Sequence, residues 1–262
     1  MNNQMRTIVR AAAAFAAIGF AASSGADEIA APTEDTGRLT IGVIGAYMDK
    51  PIRDLDDDAK AVVAPLIVYE GKHFFFRATS FGWKFIDRED VEFAVIAEGR
   101  FAESWDSSDS DFLSGMDDRD PTLDLGIQVT VFEGNFGGRM TAVGDITNEH
   151  EGFELRGEGF YQARMGKWLP RFSVGIVWQN EDLVDYYYRV RPSEVIPGVR
   201  PFYAPDATVN FRFQAVTAYA LRPNFTVLMG ARAELLGSEI DDSPITDDNK
   251  RYTFLAALGY TF

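Results

Sequence analysis

The segment Tyr252-Thr253-Phe254-Leu255-Ala256-Ala257-Leu258-Gly259-Tyr260-Thr261-Phe262 decides how the rest of the chain is read. Strand side chains alternate between two faces. Tyr252, Phe254, Ala256, Leu258, Tyr260 and Phe262 therefore share one face, and Arg251, Thr253, Leu255, Ala257, Gly259 and Thr261 the other. The first face is apolar with aromatics at both ends; the second is smaller and more polar. A strand with one side in lipid and its ends in the headgroup layers needs that distribution. Tyr252, Phe254, Leu258, Tyr260 and Phe262 are thus expected to insert a terminal strand into a membrane.

Working outward, the two-residue period recurs along the chain while a 3.6-residue period is largely missing. Candidate strands fall at about 39–47, 61–69, 73–79, 81–87, 91–101, 122–131, 136–146, 152–164, 171–179, 207–220, 225–236 and 251–262. In 91–101, Val91, Phe93, Val95, Ala97 and Phe101 oppose Glu92, Glu98 and Arg100. In 122–131, Leu123, Leu125, Ile127, Val129 and Val131 oppose Asp124, Gln128 and Thr130. Phe153, Leu155 and Tyr161 oppose Glu154, Arg156, Glu158, Gln162 and Arg164, and Phe225, Val227, Met229 and Leu235 oppose Arg232 and Glu234.

A soluble sandwich alternates as well, with its polar face to solvent, so the connections must separate the two. Glu70-Gly71-Lys72, Arg88-Glu89-Asp90, Glu133-Gly134-Asn135 and Arg222-Pro223-Asn224 are tight, whereas 48–60, 102–121, 180–206 and 237–250 are long and mostly very polar. Short turns on one side and long loops on the other are the outer-membrane pattern. Twelve strands put both termini and the short turns on the periplasmic side. The count depends on 73–87, where two short strands share the corner Thr79-Ser80-Phe81. Read as one strand, that segment lowers the count to eleven, or to ten with another merger. The expected fold class is all-β: a transmembrane, antiparallel, up-and-down β-barrel of about twelve strands, ten being the alternative, over residues 39–262.

The N-terminus fits export. Arg6 and Arg10 precede the apolar run Ala11–Ala22 and then Ser23-Ser24-Gly25-Ala26, which is the order of a signal peptide over 1–26. The run is short for a membrane span of about 20 residues. Residues 27–38 read as a flexible lead-in. Cysteine is absent, so an exported chain must close its fold without disulfides. The formal charge is −15; without Arg6 and Arg10 it becomes 23 basic against 40 acidic residues, or −17. That balance argues against nucleic acid, whose phosphates demand clustered Lys and Arg.

Candidate chemistry is sparse. His73 opens a strand and His150 lies in Asn148-Glu149-His150-Glu151. A barrel lipase needs a Ser–His pair held by a third polar group, and nothing here specifies one. Asp145, His150 and Glu151 could serve an aspartyl-type protease only at an unspecific spacing, so the expectation is no enzyme and no cofactor. Acids crowd 102–121 (Glu103, Asp106, Asp109, Asp111, Asp117, Asp118, Asp120), 49–58 and 239–248. Clustered carboxylates can take Ca²⁺ or Mg²⁺, or simply keep loops solvated. The alternation predicts a lumen lined by Glu92, Glu98, Arg100, Asp124, Arg139, Glu154, Arg156, Glu158, Arg164, Arg171, Arg212, Arg232, Glu234 and Arg251. A cation at mid-membrane depth costs about 2–4 kcal/mol on the lipid face. These groups could pair into a filled interior or line a narrow solute pore.

Ala64-Pro65-Leu66-Ile67-Val68-Tyr69-Glu70-Gly71-Lys72-His73-Phe74-Phe75 resembles the P-L-x-x-Y-x-G-x-x-F-F stretch of the MipA/OmpV family. Tyr186-Tyr187-Tyr188-Arg189-Val190-Arg191-Pro192-Ser193-Glu194-Val195 is similar to that family's Y-Y/F-G-V-x-P-x-x-A segment, with Arg189 for Gly and Val195 for Ala. Pro201-Phe202-Tyr203-Ala204-Pro205-Asp206-Ala207, Asp241-Asp242-Ser243-Pro244-Ile245 and the terminal strand follow in order. The resemblance runs from Leu39 to Phe262. It implies an outer-membrane barrel in contact with lipid, and for the namesake a scaffold joining a lytic murein transglycosylase to a peptidoglycan synthase. It carries over no catalytic residues. Periplasmic turns of three or four residues offer little area against the roughly 800 Å² per partner of a standard interface.

Overall fold

Two-residue alternation becomes twelve antiparallel strands: β1 (Arg38–Asp49), β2 (Ala61–Glu70), β3 (Phe74–Arg77), β4 (Ser80–Asp87), β5 (Val91–Arg100), β6 (Thr122–Glu133), β7 (Phe136–Asp145), β8 (Phe153–Gln162), β9 (Trp168–Gln179), β10 (Thr208–Arg222), β11 (Phe225–Leu235) and β12 (Lys250–Thr261). The structure, a computed structural model, describes residues 37–55 and 61–262. The expected signal peptide and nearly all of the lead-in lie outside the described residues.

Each strand pairs with its sequence neighbours, and β1 pairs with β12 from Thr40↔Thr261 to Asp49↔Tyr252, closing the barrel. Closure leaves the ends of the sheet no free ladder, which a membrane demands. Residues 73–87 are two strands, so the count is twelve. Their hairpin turns at Ala78-Thr79, one residue before the expected corner, and Ala78 takes the left-handed φ of +58° that the tight reversal requires. The strand β9 begins at Trp168, three residues before the expected 171, and Pro170 sits inside it paired with Thr217.

The outward face is apolar throughout, with Val43, Ile67, Leu125, Val174, Phe254 and Leu258 all exposed. Near the short turns aromatic pairs form a girdle, including Phe136–Tyr161, Trp168–Tyr219 and Phe225–Tyr260 at centroid distances of 5.1, 4.5 and 4.9 Å. Tyr252, Phe254, Leu258, Tyr260 and Phe262 belong to this outer surface. The interior has two sectors. Beside β1, β2 and β12 it is apolar, built on Ile44, Ala46, Leu66, Val68, Leu255 and Ala257. The rest is mostly charged, apart from a small apolar cluster of Phe75, Ala94, Ile96 and Val143.

The long connections are folded. The helix α1 (Glu181–Tyr188) starts at Asn180, whose side chain accepts the Leu183 N–H, with Glu181 and Asp182 in the first turn. A second, one-turn helix α2 spans Ser238–Asp241. Both occupy segments read from sequence as loops. Each is shorter than the window over which a helical period becomes visible.

Candidate functional site

Inward-facing positions bring the charged side chains of β5 to β12 together. Arg100 donates to Asp124 through Nε and Nη2 (3.0 and 2.6 Å) and to Glu154 through Nη1 (3.0 Å). Arg156 reaches Glu98 at 2.6 Å and Glu154 at 3.4 Å. Arg171 pairs with Glu158 at 2.8 Å, Arg212 with Glu234 at 2.6 Å, and Arg251 with Glu103 at 3.1 Å and Glu234 at 3.6 Å. Arg139 donates to Thr130 Oγ1, and Arg232 joins the same lining. Glu92 meets Lys84 at 3.3 Å. Such charges persist away from water where carboxylates hold the cation, as they do for Arg100, Arg156, Arg171, Arg212 and Arg251.

Arg164 departs from the expected set. The strand β8 ends at Gln162, and Ala163 N–H turns to Pro170 O while Met165 and Trp168 exchange bonds. The chain has left the wall, so Arg164 lies exposed at the short-turn end. Sequence reasoning missed Glu70, Arg77, Lys84 and Glu103. Arg77 and Lys84 both bind Glu70, at 2.8 and 2.6 Å. The available signal was phase: Lys84 follows Ser80 and Gly82 on the face opposite Phe81, Trp83 and Phe85. Gly82 leaves room for the Phe75 ring, which a Cβ there would meet at 2.1 Å, and Arg77 stacks on that ring at 4.0 Å. Gly137 and Phe160 repeat the device under Arg171, at 3.6 Å.

Above the lumen the long loops fold into a cap with its own apolar core. Ile52 and Leu55 come from the first long loop, Trp105, Leu113 and Met116 from the second, Leu183, Val184, Tyr187, Tyr188 and Val190 from α1 and its continuation, and Leu236, Ile240 and Ile245 from the last. Two buried arginines weld the loops. Arg119 lies under Trp105 and pairs with Glu194 at 3.3 Å. Arg200 donates to the carbonyls of Phe112, Ser114 and Glu194. Burial holds the Arg119 pKa below its usual value, against the pull of Glu194. Lys50 Nζ donates to Ser104 O, and burial lowers its pKa to about 8 despite Asp109 and Glu103. Arg189 follows α1 with φ −69°, a conformation open to any residue, and pairs with Asp185 at 3.0 Å.

Cap and lumen meet at two tyrosines. Tyr187 Oη lies 3.5 Å from Thr122 Oγ1, and Arg251 donates to Tyr188 Oη at 3.2 Å. Burial raises the pKa of both phenols, that of Tyr188 to about 12, so both stay neutral at neutral pH.

Among the described residues, one trio could offer three ligating atoms to a metal: Asp124, Asp145 and His150, within 4.8 Å of one another. Their hydrogen bonds are already committed. His150 Nδ1 accepts the Gly152 N–H (2.9 Å), which makes Nε2 the donor to Asp124 (3.1 Å). Asp145 accepts the N–H groups of Thr147, Glu149, His150 and Glu151. The trio orders a turn, and His150 is buried near Tyr186 and Tyr187. Several loop acids act as acceptors too: Asp118 takes the Ser107 N–H and Glu239 that of Asp206.

The family model described as MltA-interacting protein MipA matches residues 41–262. YiaT of Escherichia coli (strain K12), an outer membrane protein by name, is 28% identical over 227 residues, covering 86% of this chain and 91% of its own. MltA-interacting protein of the same strain is 25% identical over 228 residues, covering 86% and 90%. Among solved structures, an outer membrane channel from Pseudomonas putida F1 aligns with TM-score 0.45 and 10% identity, over 90% of this chain and 98% of that one.

Proposed function

We propose, from the premise that this chain belongs to the MltA-interacting protein MipA family and is an outer-membrane protein, that it is a closed, non-enzymatic barrel serving the cell envelope as an interaction platform. The observation that carries this reading is the cap. Thirteen buried apolar side chains from four loops form a core over the barrel mouth, and its tyrosines rest on an ion-paired lumen. A diffusion pore would have to break that core to open. By the name of its relative, MltA, a murein transglycosylase, is the partner class to test first; a peptidoglycan synthase would complete the scaffold. The binding surface would be the short turns and adjoining girdle.

Single-channel recording of the refolded chain in a planar bilayer tests the reading. A silent barrel that retains purified murein transglycosylase on an affinity column supports it. Steady conductance without retention overturns it. A narrow solute pore is the second reading, favoured by a cavity of about 140 Å³ lined by mixed Arg and Glu. Conductance that shifts on Arg232→Ala would establish that reading instead.

A further inference from the structure

The rim at the short-turn end is not electrically uniform. The chain carries 40 acidic residues against 25 basic ones, yet 159–180 and 207–233 contain neither Asp nor Glu. These stretches include the turns of the β8–β9 and β10–β11 hairpins. On those turns Arg164, Lys167 and Arg222 are all exposed. The sector before them has the opposite sign: the β4–β5 and β6–β7 turns expose Asp87, Glu89, Asp90 and Glu133 against Arg88.

Backbone bonds bring the two basic turns side by side. Ala220 N–H donates to Lys167 O at 2.9 Å, so the β9–β10 ladder runs on past Trp168↔Tyr219 into the turns. Met165 and Trp168 exchange bonds of 2.9 and 3.1 Å around Gly166, whose φ is +65°. Arg222 pairs with Phe225 across Pro223-Asn224. Both reversals are tight, so a ligand held there has little loop to order. Among the described residues no carboxylate pairs with Lys167 or Arg222.

The same turns carry part of the aromatic girdle. Trp168 and Tyr219 pack at 4.5 Å between ring centroids, next in register to Lys167 and Ala220. Beside them Met165 and Leu221 are exposed. Aromatic girdles mark the membrane interface of a barrel, which places the cations just beyond the rings at the level of lipid phosphates. Lys and Arg reach that layer while their stems lie along apolar surface. The acidic sector has rings too, Phe85 and Phe93 at 5.9 Å. Charge, not the girdle, distinguishes the two sectors.

We propose that the arc formed by the β8–β9 and β10–β11 turns binds an anionic phospholipid of the periplasmic leaflet. Its phosphate lies between Lys167 and Arg222, and the start of its acyl chains rests on Trp168, Tyr219 and Leu221. Clustered cations at a membrane surface favour a net negative headgroup over a zwitterionic one. An acidic protein face is the competing occupant; rings and exposed apolar side chains level with the cations favour lipid. The site goes beyond the murein-enzyme reading and does not depend on it.

Native mass spectrometry of the full mature chain, released from a neutral detergent, provides the test. Dioleoyl phosphatidylglycerol is the probe, dioleoyl phosphatidylethanolamine the zwitterionic control and inorganic phosphate the control for the head alone. The expected result is saturable retention of the anionic lipid, about tenfold above the zwitterionic one, that inorganic phosphate does not displace. Lys167→Gln combined with Arg222→Gln should bring the two lipids to equal retention. Arg88→Gln, in the acidic sector, should leave the preference intact. Heat-modifiable gel migration verifies that each variant folds; if the double variant does not, Lys167→Gln alone decides. Equal retention of both lipids by the unaltered chain, displacement by inorganic phosphate, or a preference that survives the double substitution in folded protein would each overturn the proposal. An equal loss on Arg88→Gln would do the same. Unselective lipid retention with arc-dependent capture of polyglutamate would also overturn it, by assigning the arc to an acidic protein partner.

Discussion

The lumen and the cap are built on opposite rules within one chain. In the lumen, charged groups are buried and paired while apolar side chains point outward: Arg100, Asp124 and Glu154 are nearly inaccessible, whereas Val174 and Phe254 are exposed. In the cap the usual order returns, with Leu113, Leu183 and Ile245 at the centre and acids at the rim. The backbone physics is the same; the solvent differs. Lipid rewards an apolar exterior and leaves polar groups the interior, while water outside the membrane rewards an apolar core. The two regions meet where Tyr187 and Tyr188 turn a polar tip to the lumen and an apolar body to the cap.

The largest expected effect tests the lumen. Arg100→Ala strands Asp124 and Glu154 without their shared cation, which should cost about 3–5 kcal/mol. Urea titration in detergent should show the barrel transition itself moving. If only the loops loosened, the lumen network would not be supporting the wall.

Leu113→Ala makes the matching cut in the cap, removing a side chain with 0% exposure. The expected loss is about 2–5 kcal/mol, confined to the loops. Protease cleavage in 101–121 should accelerate while heat-modifiable migration of the barrel stays unchanged. A coincident loss of both would show that cap and barrel unfold as one unit.

A smaller effect comes from Lys50. With its pKa near 8 in the fold against 10.5 when free, both states are protonated below pH 8 and the burial cost is fully present. Between pH 8 and 10.5 the opened cap binds the extra proton, so cap stability should rise with pH. At about 1.4 kcal/mol per pKa unit, the gain is at most about 3–4 kcal/mol. Amide exchange at Trp105 and Leu113, corrected for intrinsic chemistry, should slow across that window. Lys50→Met should abolish the slope. The smallest effect is expected at Arg164: outside both regions, Arg164→Ala should leave the urea midpoint unchanged.

Legibility divides along the same line. The strand segments were readable because alternation is a property of neighbours in the chain: Glu92, Glu98 and Arg100 declare their common face within nine residues. Glu70, Arg77 and Glu103 were not readable as lumen groups. Glu70 closes β2 at a point the sequence reads as a turn, Arg77 ends a four-residue strand too short to display a period, and Glu103 lies in a loop that only packing turns inward. Arg164 misled because the alternation of β8 can be continued on paper past the point where turn bonds end the strand.

By itself the sequence determined the barrel: twelve alternating segments, aromatic ends, tight turns and long loops. It determined as well that most charges between these segments must face inward, because the bilayer leaves them no other place. Only the tertiary structure decided that the long acidic loops fold into an apolar cap and that Arg119 and Arg200 hold it. Those features join residues far apart in the chain, such as Arg53 and Thr246 across 193 positions. No local period records such meetings; they exist only once closure of the barrel has brought the loops to one mouth.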